Sequence, residues 1–522
     1  MSECAVRVAI IGSGFSGIAA AVALQRQGLH DFVLFEQSEG VGGTWFKNRY
    51  PGAEVDLESH IYSFSFAPSD WTRTHAAGAE LQAYLQRVAD EHGITGRVRL
   101  GEKVERVEWR DVARRWVVHT TSEADHGEFT AVISAVGFLN VPLLPPFARA
   151  ETPFQGTVCH TSTWPERLDM TGKAVGIVGT GSSAVQVGPE AEKIAASVKV
   201  FQREANWIVP KDARDFTATE RRLHRRRLGY ALRRWRLYWR YDLRQVFGRH
   251  VIEGTRPHRA RAALAREYLE RSLADRPELL RAVTPGHVFE GKRVVLSDSY
   301  YEMLRSDRVT LVPRGVAELT ATGVRDDSGE DHALDIVVLA TGFDAANYLG
   351  NYEVYGRDGL ELHERWHGEP EALLGTMVPG FPNFFIMYGP NTNSVPLVSF
   401  YEAQAGFAAR LIARTARRGR STVEVRESAF AAYNTWLQRW LSKTVWHEAE
   451  NYFRASTGTV VSQWPFSATV YILGLRVAEW LAMRFDGDGR RRAVTSSAHP
   501  SASLLSGRSR AMTADQDMPA SR

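Results

Sequence analysis

Two glycine-rich segments have the residue spacing of a loop that binds phosphate. The first, IGSGFSG, places Gly12, Gly14 and Gly17 directly after an apolar run, and Glu36 ends the next apolar run. Glycines at this spacing permit a tight turn and a close approach of backbone to pyrophosphate at a helix N-terminus, while the acid accepts hydrogen bonds from ribose hydroxyls. A glycine-rich turn without a ligand is the structural alternative. Because strand, loop, helix and acid follow in the required order, the segment predicts a site for an unphosphorylated ribose, as in FAD or NAD.

The second segment, VGIVGTGSSAVQ, repeats this arrangement between another apolar run and another helical pattern. Its loop residues are Gly179, Gly181, Ser182, Ser183 and Ala184. After the following apolar run the chain has Gln202 and Arg203 where the first segment has an acid. A guanidinium neutralises a 2′-phosphate that an acid would repel, so this segment predicts a site for NADPH. A surface arginine at a strand end is the alternative interpretation.

A chain that holds both a flavin nucleotide and NADPH is built to pass hydride from nicotinamide to flavin. The electrons then need an acceptor, and a disulfide acceptor would require paired cysteines. The chain has 2 cysteines, Cys4 and Cys159, which lie far apart in sequence. Oxygen is therefore the expected acceptor. With neither a disulfide framework nor a Cys-x-x-Cys centre, we expect a reducing, cytoplasmic compartment, and we expect no metal site.

Composition and charge exclude several other classes. The 522 residues are 44% hydrophobic and 24% charged, an ordinary globular composition with room for more than one domain. A formal net charge of +4 is too small on this length to imply nucleic acid as a partner. The opening MSECAVRVAIIGSGFSG is not expected to be a signal peptide. Arg476 and Glu479 interrupt the apolar run TVYILGLRVAEWLAM, which predicts a packed helix and no membrane span.

The order of elements predicts the fold class α/β, with two interleaved Rossmann-like dinucleotide-binding domains and a helical insertion. Apolar runs alternate with helical patterns, which is typical of βαβ units on parallel sheets. We expect an FAD-binding domain from residues 1–140 and 341–485, and an NADP-binding domain from residues 141–340. Residues 206–284 lose the strand pattern entirely and become helical and rich in arginine, which predicts the insertion. Residues 486–522, rich in Ser, Gly, Ala and Arg, are expected to be a disordered tail.

Two further segments carry a family resemblance. GGTWFKNRYPGAEVD, residues 42–56, and FQGTVCHTSTWP, residues 154–165, resemble the two signatures of class B flavoprotein monooxygenases, specifically type I Baeyer–Villiger monooxygenases. The resemblance extends to about Phe485 and implies FAD, NADPH and oxygen, with a ketone converted to an ester or lactone. It implies that the second signature is a hinge that couples nucleotide binding to domain movement. The implied hinge residues are Phe154, Gly156, His160 and Trp164, and the implied cofactor contacts in the first signature are Gly43, Thr44 and Trp45.

The same resemblance implies catalytic residues. In GKRVVLSDSYYEML, Lys292 and Arg293 stand at the positions that contact the NADP phosphate and stabilise a C4a-peroxyflavin, and Asp56 would orient the guanidinium. A guanidinium suits this role because it stays charged at every working pH. Without the resemblance, Asp56 is more typical of a helix N-cap, and the Lys-Arg pair of solvated surface. Tyr452 is a departure, since the family often has a tryptophan there against cofactor and substrate.

Two other functions stay open on the sequence. N- or S-oxygenation with the same cofactors is the nearest alternative, and Trp164 disfavours it because such enzymes usually have Tyr or Lys at that position. A non-catalytic flavin-binding redox sensor is the alternative of another class, and it is disfavoured by the intact Arg293 and Asp56. The substrate is expected to be a hydrophobic ketone, because Trp and Tyr are abundant near the insertion, the loop PNTNSVPLVSFYE and the C-terminal segment that shape the pocket.

A basic segment, residues 221–245, carries ten arginines and an apolar stripe at helical spacing. The stripe consists of Leu228, Leu232, Trp235, Trp239, Leu243 and Val246. The favoured interpretation is an insertion helix that packs through this stripe and solvates its arginines. Attachment to an anionic membrane surface is the alternative.

Overall fold

Two five-stranded parallel sheets organise the chain, described here at residues 6–149, 153–417 and 421–486 of a computed structural model. The strands are β1 (Val8–Ile11), β2 (Phe32–Glu36), β3 (Val98–Leu100), β4 (Val104–Arg110), β5 (Arg115–Thr120), β6 (Glu128–Phe129), β7 (Ala131–Ser134), β8 (Thr157–His160), β9 (Ala174–Val178), β10 (Ser197–Phe201), β11 (Ile208–Val209), β12 (Val295–Leu296), β13 (Val309–Val312), β14 (Val316–Thr320), β15 (Gly323–Asp326), β16 (Asp331–Ala333), β17 (Ile336–Leu339), β18 (Glu353–Tyr355), β19 (Phe384–Ile386), β20 (Val423–Val425) and β21 (Met483–Phe485). The helices are α1 (Phe15–Arg26), α2 (Thr44–Lys47), α3 (Gly78–Glu91), α4 (Ser182–Ile194), α5 (Ala218–His224), α6 (Arg227–Gln245), α7 (Arg256–Leu273), α8 (Pro277–Ala282), α9 (Tyr300–Leu304), α10 (Leu362–Trp366), α11 (Leu397–Arg417), α12 (Glu427–Leu441), α13 (Val445–Glu448) and α14 (Ala468–Leu481).

The first sheet has the strand order β19-β7-β1-β2-β3. Strand β1 lies in its middle and pairs in parallel with β2 and β7, with Ile10 opposite Leu34 on one side and Ile133 on the other. All of β1 is buried, as expected for a parallel strand that is covered on both faces. Helix α1, which connects β1 to β2, packs against α11. The first βαβ unit is therefore built as the sequence pattern predicts.

The second sheet, β13-β10-β9-β17-β8, repeats the same construction. Strand β9, helix α4 and strand β10 form its βαβ unit, and β9 pairs in parallel with β10 and β17. The turn glycines of the two units are equivalent: Gly12 and Gly179 have φ of +99° and +116°, and an added Cβ would lie 2.7 Å and 2.6 Å from the carbonyl oxygens of Ala135 and Ala340. These alanines directly follow β7 and β17, the neighbouring strands. The predicted α/β class with two Rossmann-like units is confirmed.

The chain passes between the two sheets twice, and the two connections pair with each other. Leu143 N donates to Gly342 O and Asp344 N donates to Val141 O, each at 2.9 Å. The hydroxyl of Thr341 donates to Leu143 O at 2.7 Å. The two crossings are therefore joined along their backbones rather than left as independent linkers.

A four-stranded sheet, β18-β4-β5-β6, packs against the first sheet, and a tryptophan makes part of this contact. Trp116 of β5 is fully buried, its ring centroid lies 5.4 Å from that of Phe384 in β19, and its indole N–H donates to Pro382 O at 2.8 Å. A buried Trp needs a hydrogen-bond acceptor for its N–H, so Trp116 both packs against the first sheet and finds its acceptor there.

The insertion is helical but not wholly so. Residues 206–284 contain α5 to α8 and also the two-residue strand β11, which pairs in parallel with β12. The predicted loss of all strand character is therefore wrong at Ile208 and Val209. The described residues form one compact unit that ends at Asp486, so the domain limits at 140 and 341 stay predictions, and the predicted tail beyond that residue lies outside the described residues.

The predicted packing of helix α6 through its apolar stripe is wrong. Leu228 and Leu243 are 82% and 66% exposed, and the helix buries Tyr230 and Leu237 on its other side. Periodicity identifies an apolar stripe, but which side of the helix packs depends on tertiary partners. Helix α14, from the apolar run near the C-terminus, is likewise packed on one side only. Within the described residues, no helix is both long and apolar enough to cross a membrane.

Truncating the centre of the second sheet is expected to destabilise the protein. Ile177 on β9 is fully buried. We expect Ile177→Ala to lower the free energy of unfolding by about 2–5 kcal/mol, because it removes apolar contacts and leaves a cavity. Val112→Ala, at a fully exposed position, is the control and should change it by less than about 0.5 kcal/mol. Urea denaturation followed by circular dichroism measures both, and equal effects would contradict the assignment of Ile177 to the core.

Candidate active site

A cavity of about 1510 Å³ is shared by the two βαβ units and the insertion. Ten of the predicted site residues line it: Gly12, Gly14, Glu36, Gly43, Thr44, Trp45, Asp56, Ser182, Lys292 and Arg293. Six others are not part of its lining: Gly17, Gly179, Gly181, Ser183, Arg203 and Tyr452. The predicted hinge residues are also outside the lining, although their neighbours Ser162 and Thr163 are part of it.

The first phosphate loop presents bare backbone to this cavity. An added Cβ at Gly17 would lie 2.0 Å from Gly12 O, and one at Gly43 would lie 2.9 Å from Gly14 Cα, so neither position has room for a side chain. Helix α1 begins at Phe15, and no described side chain caps its N-terminus. Its first N–H groups are therefore available to a phosphate.

The carboxylate of Glu36 closes the same site from the end of β2. It is 4% exposed and accepts hydrogen bonds from Ser13 N at 3.0 Å, Ser13 Oγ at 2.8 Å and Ser38 N at 2.9 Å. These bonds hold the loop against the strand end and compensate the cost of burying the charge. A carboxylate has more acceptor sites than these three donors use, so it can also accept from ribose hydroxyls. The residues present fit a dinucleotide with an unphosphorylated ribose.

The helix after the second phosphate loop also begins without a cap from any described side chain. Helix α4 begins at Ser182, and no described side chain caps it. The Ser182 hydroxyl is buried, lines the cavity and has no hydrogen-bond partner among the described residues. A buried hydroxyl without a partner costs free energy, so a ligand oxygen at this position would satisfy it. This loop therefore also fits a phosphate.

The two residues after β10 have different surroundings. Gln202 is buried and donates from its side-chain amide to Ala282 O at 2.7 Å, which ties the second sheet to α8 of the insertion. Arg203 is exposed, and no ion pair to it exists within the described ranges. Of the two, Arg203 is the side chain that is free to meet a phosphate.

Arg293 and Asp56 meet inside the cavity. The Nη2 of Arg293 donates to Asp56 Oδ2 at 2.6 Å, and the side chain of Tyr452 hydrogen-bonds the same guanidinium. Tyr452 and Asp56 raise the pKa of Arg293, against burial, which lowers it. The guanidinium is thus charged and held on two sides. No helix begins at Asp56, so the N-cap interpretation is wrong.

Lys292, the neighbour of Arg293, is held by a different acid. Its ammonium forms an ion pair with Glu204, and Glu204 also contacts His287 Nδ1 at 3.1 Å. Burial raises the pKa of Glu204, but Lys292 and His287 outweigh it and the pKa is lowered overall. The carboxylate therefore stays charged and keeps Lys292 at the rim of the cavity.

His160 of the second signature binds one of the paired connections. Its Nε2 donates to Gly342 O at 3.1 Å, and its Nδ1 accepts from Ser162 N at 3.1 Å. This pattern requires a neutral ring, and burial indeed lowers the pKa of His160, although the Gly342 carbonyl raises it. The imidazole therefore links the end of β8 to the second crossing.

The remaining signature residues are packing elements. An added Cβ at Gly156 would lie 2.3 Å from Asp335 O and 2.4 Å from the ring of Phe154, so the position requires glycine. The ring of Trp164 lies 6.5 Å from that of Tyr50, which belongs to the first signature. Tyr50 in turn donates to the side chain of Gln186 in α4 at 2.7 Å. The two signatures thus meet beside the second phosphate loop.

Sequence reasoning missed a group of polar residues on the insertion side of the cavity. The Glu58 carboxylate accepts from the Tyr241 hydroxyl and from Arg240 at 3.3 Å, both on α6. Buried Lys211 forms an ion pair with Glu54 at 2.7 Å. The sequence indicates only that the insertion shapes the pocket, because the polar residues of α6 have the pattern of a solvated helix side.

Comparison with known proteins gives consistent matches. A family model described as pyridine nucleotide-disulphide oxidoreductase matches residues 9–223. A Baeyer–Villiger monooxygenase of Pseudomonas aeruginosa is 36% identical over 448 residues, covering 84% of this chain and 83% of that protein. Another, of Streptomyces coelicolor, is 34% identical over 470 residues, covering 88% and 89%. A phenazine N-monooxygenase of Lysobacter antibioticus is 30% identical over 470 residues, covering 81% and 85%.

The fold comparison agrees with these relatives. The structure of a steroid monooxygenase bound to NADP superimposes with a TM-score of 0.83 at 28% identity, covering 92% of this chain and 99% of that one. Two phosphate loops on parallel sheets around one cavity define an α/β oxidoreductase with two dinucleotide sites. The relatives narrow that class: the chain belongs to the Baeyer–Villiger monooxygenase family. The family resemblance seen in the sequence is confirmed.

A buried histidine of the cavity wall is expected to make stability depend on pH. His75 is 5% exposed, and burial, aided by Lys211, lowers its pKa to about 4. Between pH 6.5 and 4 the unfolded chain takes up a proton that the folded chain does not. The free energy of unfolding should therefore fall as pH drops through this window, by up to roughly 3 kcal/mol, since each pKa unit is worth about 1.4 kcal/mol.

The variant His75→Gln tests this pH dependence. Denaturation at pH 7 and pH 4.5 should show a smaller loss of stability for the variant than for the wild type, because glutamine does not titrate. His30→Gln, at an exposed position, is the control and should keep the wild-type loss. If the His75 variant lost as much stability as the wild type, this histidine would not be the titrating group.

Proposed function

We propose that the protein is an FAD-containing, NADPH- and oxygen-dependent monooxygenase that converts a hydrophobic ketone to an ester or lactone. Membership of the Baeyer–Villiger family supports the reaction class and both cofactors. The single observation that carries the residue assignment is the Arg293–Asp56 pair, 2.6 Å long, in the cavity that both phosphate loops reach.

The first loop would hold the flavin nucleotide. Gly12 and Gly14 with the N-terminus of α1 would bind its pyrophosphate, and Glu36 its ribose. Thr44 and Trp45, which open α2 beside Gly43, line the same cavity. When bound and reduced, FAD supplies the electrons and activates oxygen for insertion into the substrate.

Arg293 would stabilise the negative charge that develops on oxygen during this reaction. Its charge is independent of working pH, and the bonds to Asp56 and Tyr452 fix where it points, so no reorganisation is needed in the transition state. One positioned donor of this kind is worth about 3 kcal/mol. Asp56 acts through Arg293, as a positioning residue.

The second loop would hold NADPH. The N-terminus of α4 with Gly179, Gly181 and the hydroxyls of Ser182 and Ser183 would bind its pyrophosphate. Arg203 and Lys292 would contact its 2′-phosphate, for which a free guanidinium and a rim ammonium are suited.

The hinge role of the second signature rests on the bonds of His160. The ring of His160 joins the end of β8 to Gly342. A movement of β8 relative to the second crossing would therefore have to stretch or break this hydrogen bond. Phe154, Gly156 and Trp164 would keep the surrounding segment rigid, so that movement is concentrated at the crossings.

The ketone is assigned as hydrophobic from the wall of the cavity. Its apolar part includes several aromatic side chains: Tyr62, Tyr388, Trp446, Phe453 and Trp464. N-oxygenation is the second candidate, favoured by the relationship to a phenazine N-monooxygenase. Oxidation of a ketone panel and an amine panel, with products identified by mass spectrometry, separates the two: an N-oxide without any ester would replace the first proposal.

Removing the guanidinium of Arg293 should uncouple the enzyme. We expect Arg293→Ala to bind FAD and to be reduced by NADPH, since both phosphate loops are untouched, while ester formation falls by about two or more powers of ten. Oxygen should then be released mainly as hydrogen peroxide. Stopped-flow flavin reduction, ester yield and peroxide release are measured together.

Asp56→Ala is the matched comparison and should have a milder effect, because the arginine remains. Ester formation by Arg293→Ala at the parent rate would disprove the role.

Removing Arg203 should affect nucleotide binding only. We expect Arg203→Ala to raise the KM for NADPH by about tenfold or more, because the 2′-phosphate loses a charge-assisted contact, and to leave the ester yield per NADPH nearly unchanged. Steady-state kinetics with NADPH and NADH measure the effect, and the preference for NADPH should shrink. Arg271→Ala, at an exposed position on α7, is the control. An unchanged preference would remove Arg203 from the site.

A further inference from the structure

Two neighbouring helices expose apolar stripes. On α6 the exposed apolar residues are Leu228, Leu232, Trp235 and Leu243, and on α14 they are Val470, Leu473, Val477, Trp480 and Leu481. Their spacing places each set on one side of its helix. Together these residues form what we call the apolar face. Monomeric soluble proteins rarely expose so many large apolar side chains in one region unless the region binds something.

Hydrogen bonds make the two stripes parts of one surface. The Tyr238 hydroxyl in α6 lies 2.9 Å from Thr469 Oγ1 in α14. The buried carboxylate of Asp242 accepts from Thr469 N at 3.0 Å, which satisfies a backbone donor at the start of α14. Since Tyr238 and Asp242 stand beside the α6 stripe on the helix surface, the start of α14 lies directly next to it.

The packed side of α6 shows that its orientation is not accidental. The Tyr230 hydroxyl bonds Ser63 Oγ at 2.9 Å, and Arg234 donates to the backbone oxygens of His60 and Ser63 at 2.8 Å and 2.7 Å. The helix therefore docks through an aromatic and polar side and leaves its leucines outside. Turning it to bury the leucines would break these bonds.

The apolar face is bordered by positive charge. Four arginines of the basic segment that do not line the cavity are exposed and make no ion pair within the part of the chain that the structure describes: Arg222, Arg226, Arg227 and Arg236. The single acid of residues 221–245 is Asp242, which is buried. The border of the face therefore carries an uncompensated positive field.

We propose that the apolar face docks the enzyme on an anionic lipid bilayer, with α6 and α14 lying in the plane of the interface. Leucine, valine and tryptophan side chains would enter the boundary between headgroups and acyl chains, and the arginines would bind the anionic headgroups. Neither helix is long and apolar enough to span a membrane, which fits an in-plane position.

Charge argues against a second copy of the chain as the occupant. A twofold interface brings the same patch of both copies together, so the arginines of one copy would face those of the other. An anionic bilayer instead neutralises them. The side of α6 opposite the apolar face carries Tyr241 and Gln245, which line the cavity. Docking would thus place the bilayer and the cavity on two sides of one helix.

Vesicle binding by the FAD-loaded protein tests the proposal. Flotation with vesicles of phosphatidylcholine alone and of phosphatidylcholine with phosphatidylserine should show binding to the anionic vesicles only, and binding should weaken as salt is raised. Arg226→Glu with Arg227→Glu should reduce it by at least about tenfold. Both positions are at the N-terminus of α6, where acids do not destabilise a helix. The matched charge control is Arg99→Glu with Arg167→Glu, two exposed arginines outside the face.

A second pair of variants tests whether the apolar side chains contribute to vesicle binding. Leu473→Glu should also reduce vesicle binding by at least about tenfold, whereas Val112→Glu, at an exposed position on the β4–β5 turn, should not. Circular dichroism and FAD content are expected to match the wild type in all variants. The proposal is overturned by absence of binding to anionic vesicles, or by binding that Leu473→Glu leaves unchanged. It is also overturned if sedimentation shows a wild-type dimer that Leu473→Glu dissociates, because the occupant is then a second copy.

Discussion

Backbone pairing between the two crossings, at residues 141–143 and 341–344, is the constraint on which the site depends. Asp56 is the last residue of the first signature, in the part of the chain that builds the first sheet, whereas Arg293 belongs to the part that builds the second. Their hydrogen bond of 2.6 Å exists only while the two sheets keep one relative position. Two antiparallel backbone bonds join the crossings to each other, and the imidazole of His160 joins the second crossing to the end of β8. An error of about 1 Å between catalytic groups can cost two orders of magnitude in rate, so under the role proposed for Arg293 the geometry of the crossings matters for the reaction.

The same crossings explain why the second signature has little chemistry of its own. His160 is neutral and uses both ring nitrogens in local bonds, which leaves it no free position for acid–base catalysis. Gly156 admits no larger residue, because an added Cβ would meet Asp335 O and the ring of Phe154. The second signature contacts the first through the rings of Trp164 and Tyr50, and Tyr50 also hydrogen-bonds Gln186 of α4, the helix that begins at Ser182.

The parts of the fold that were predictable from sequence are those whose physics is local. A glycine whose Cβ would meet a neighbouring carbonyl at 2.6 Å or 2.7 Å must be glycine, so Gly12 and Gly179 stand out in the sequence itself. The pairing of Arg293 with Asp56 spans residues too far apart for any local pattern, and it was expected only through the family resemblance. The hydrogen bonds of Glu58 with Tyr241 and Arg240 could not be predicted from the sequence, because each of these residues taken alone is typical of solvated surface.

Helix α6 shows most directly why periodicity cannot decide packing. Its apolar stripe is real, but burial of Tyr230 and the two backbone bonds of Arg234 outweigh burial of the leucines, so the stripe faces outward. This orientation has a consequence for a hydrophobic ketone. Such a molecule partitions into a bilayer, where its concentration exceeds that in water, and a docked enzyme would take it up from that reservoir. The residues that cover the cavity, Tyr241 and Gln245, and those that would enter the lipid, Trp235 and Leu243, belong to one rigid helix. Membrane docking and access to the cavity are then coupled through a single element, without any need for a membrane-spanning segment.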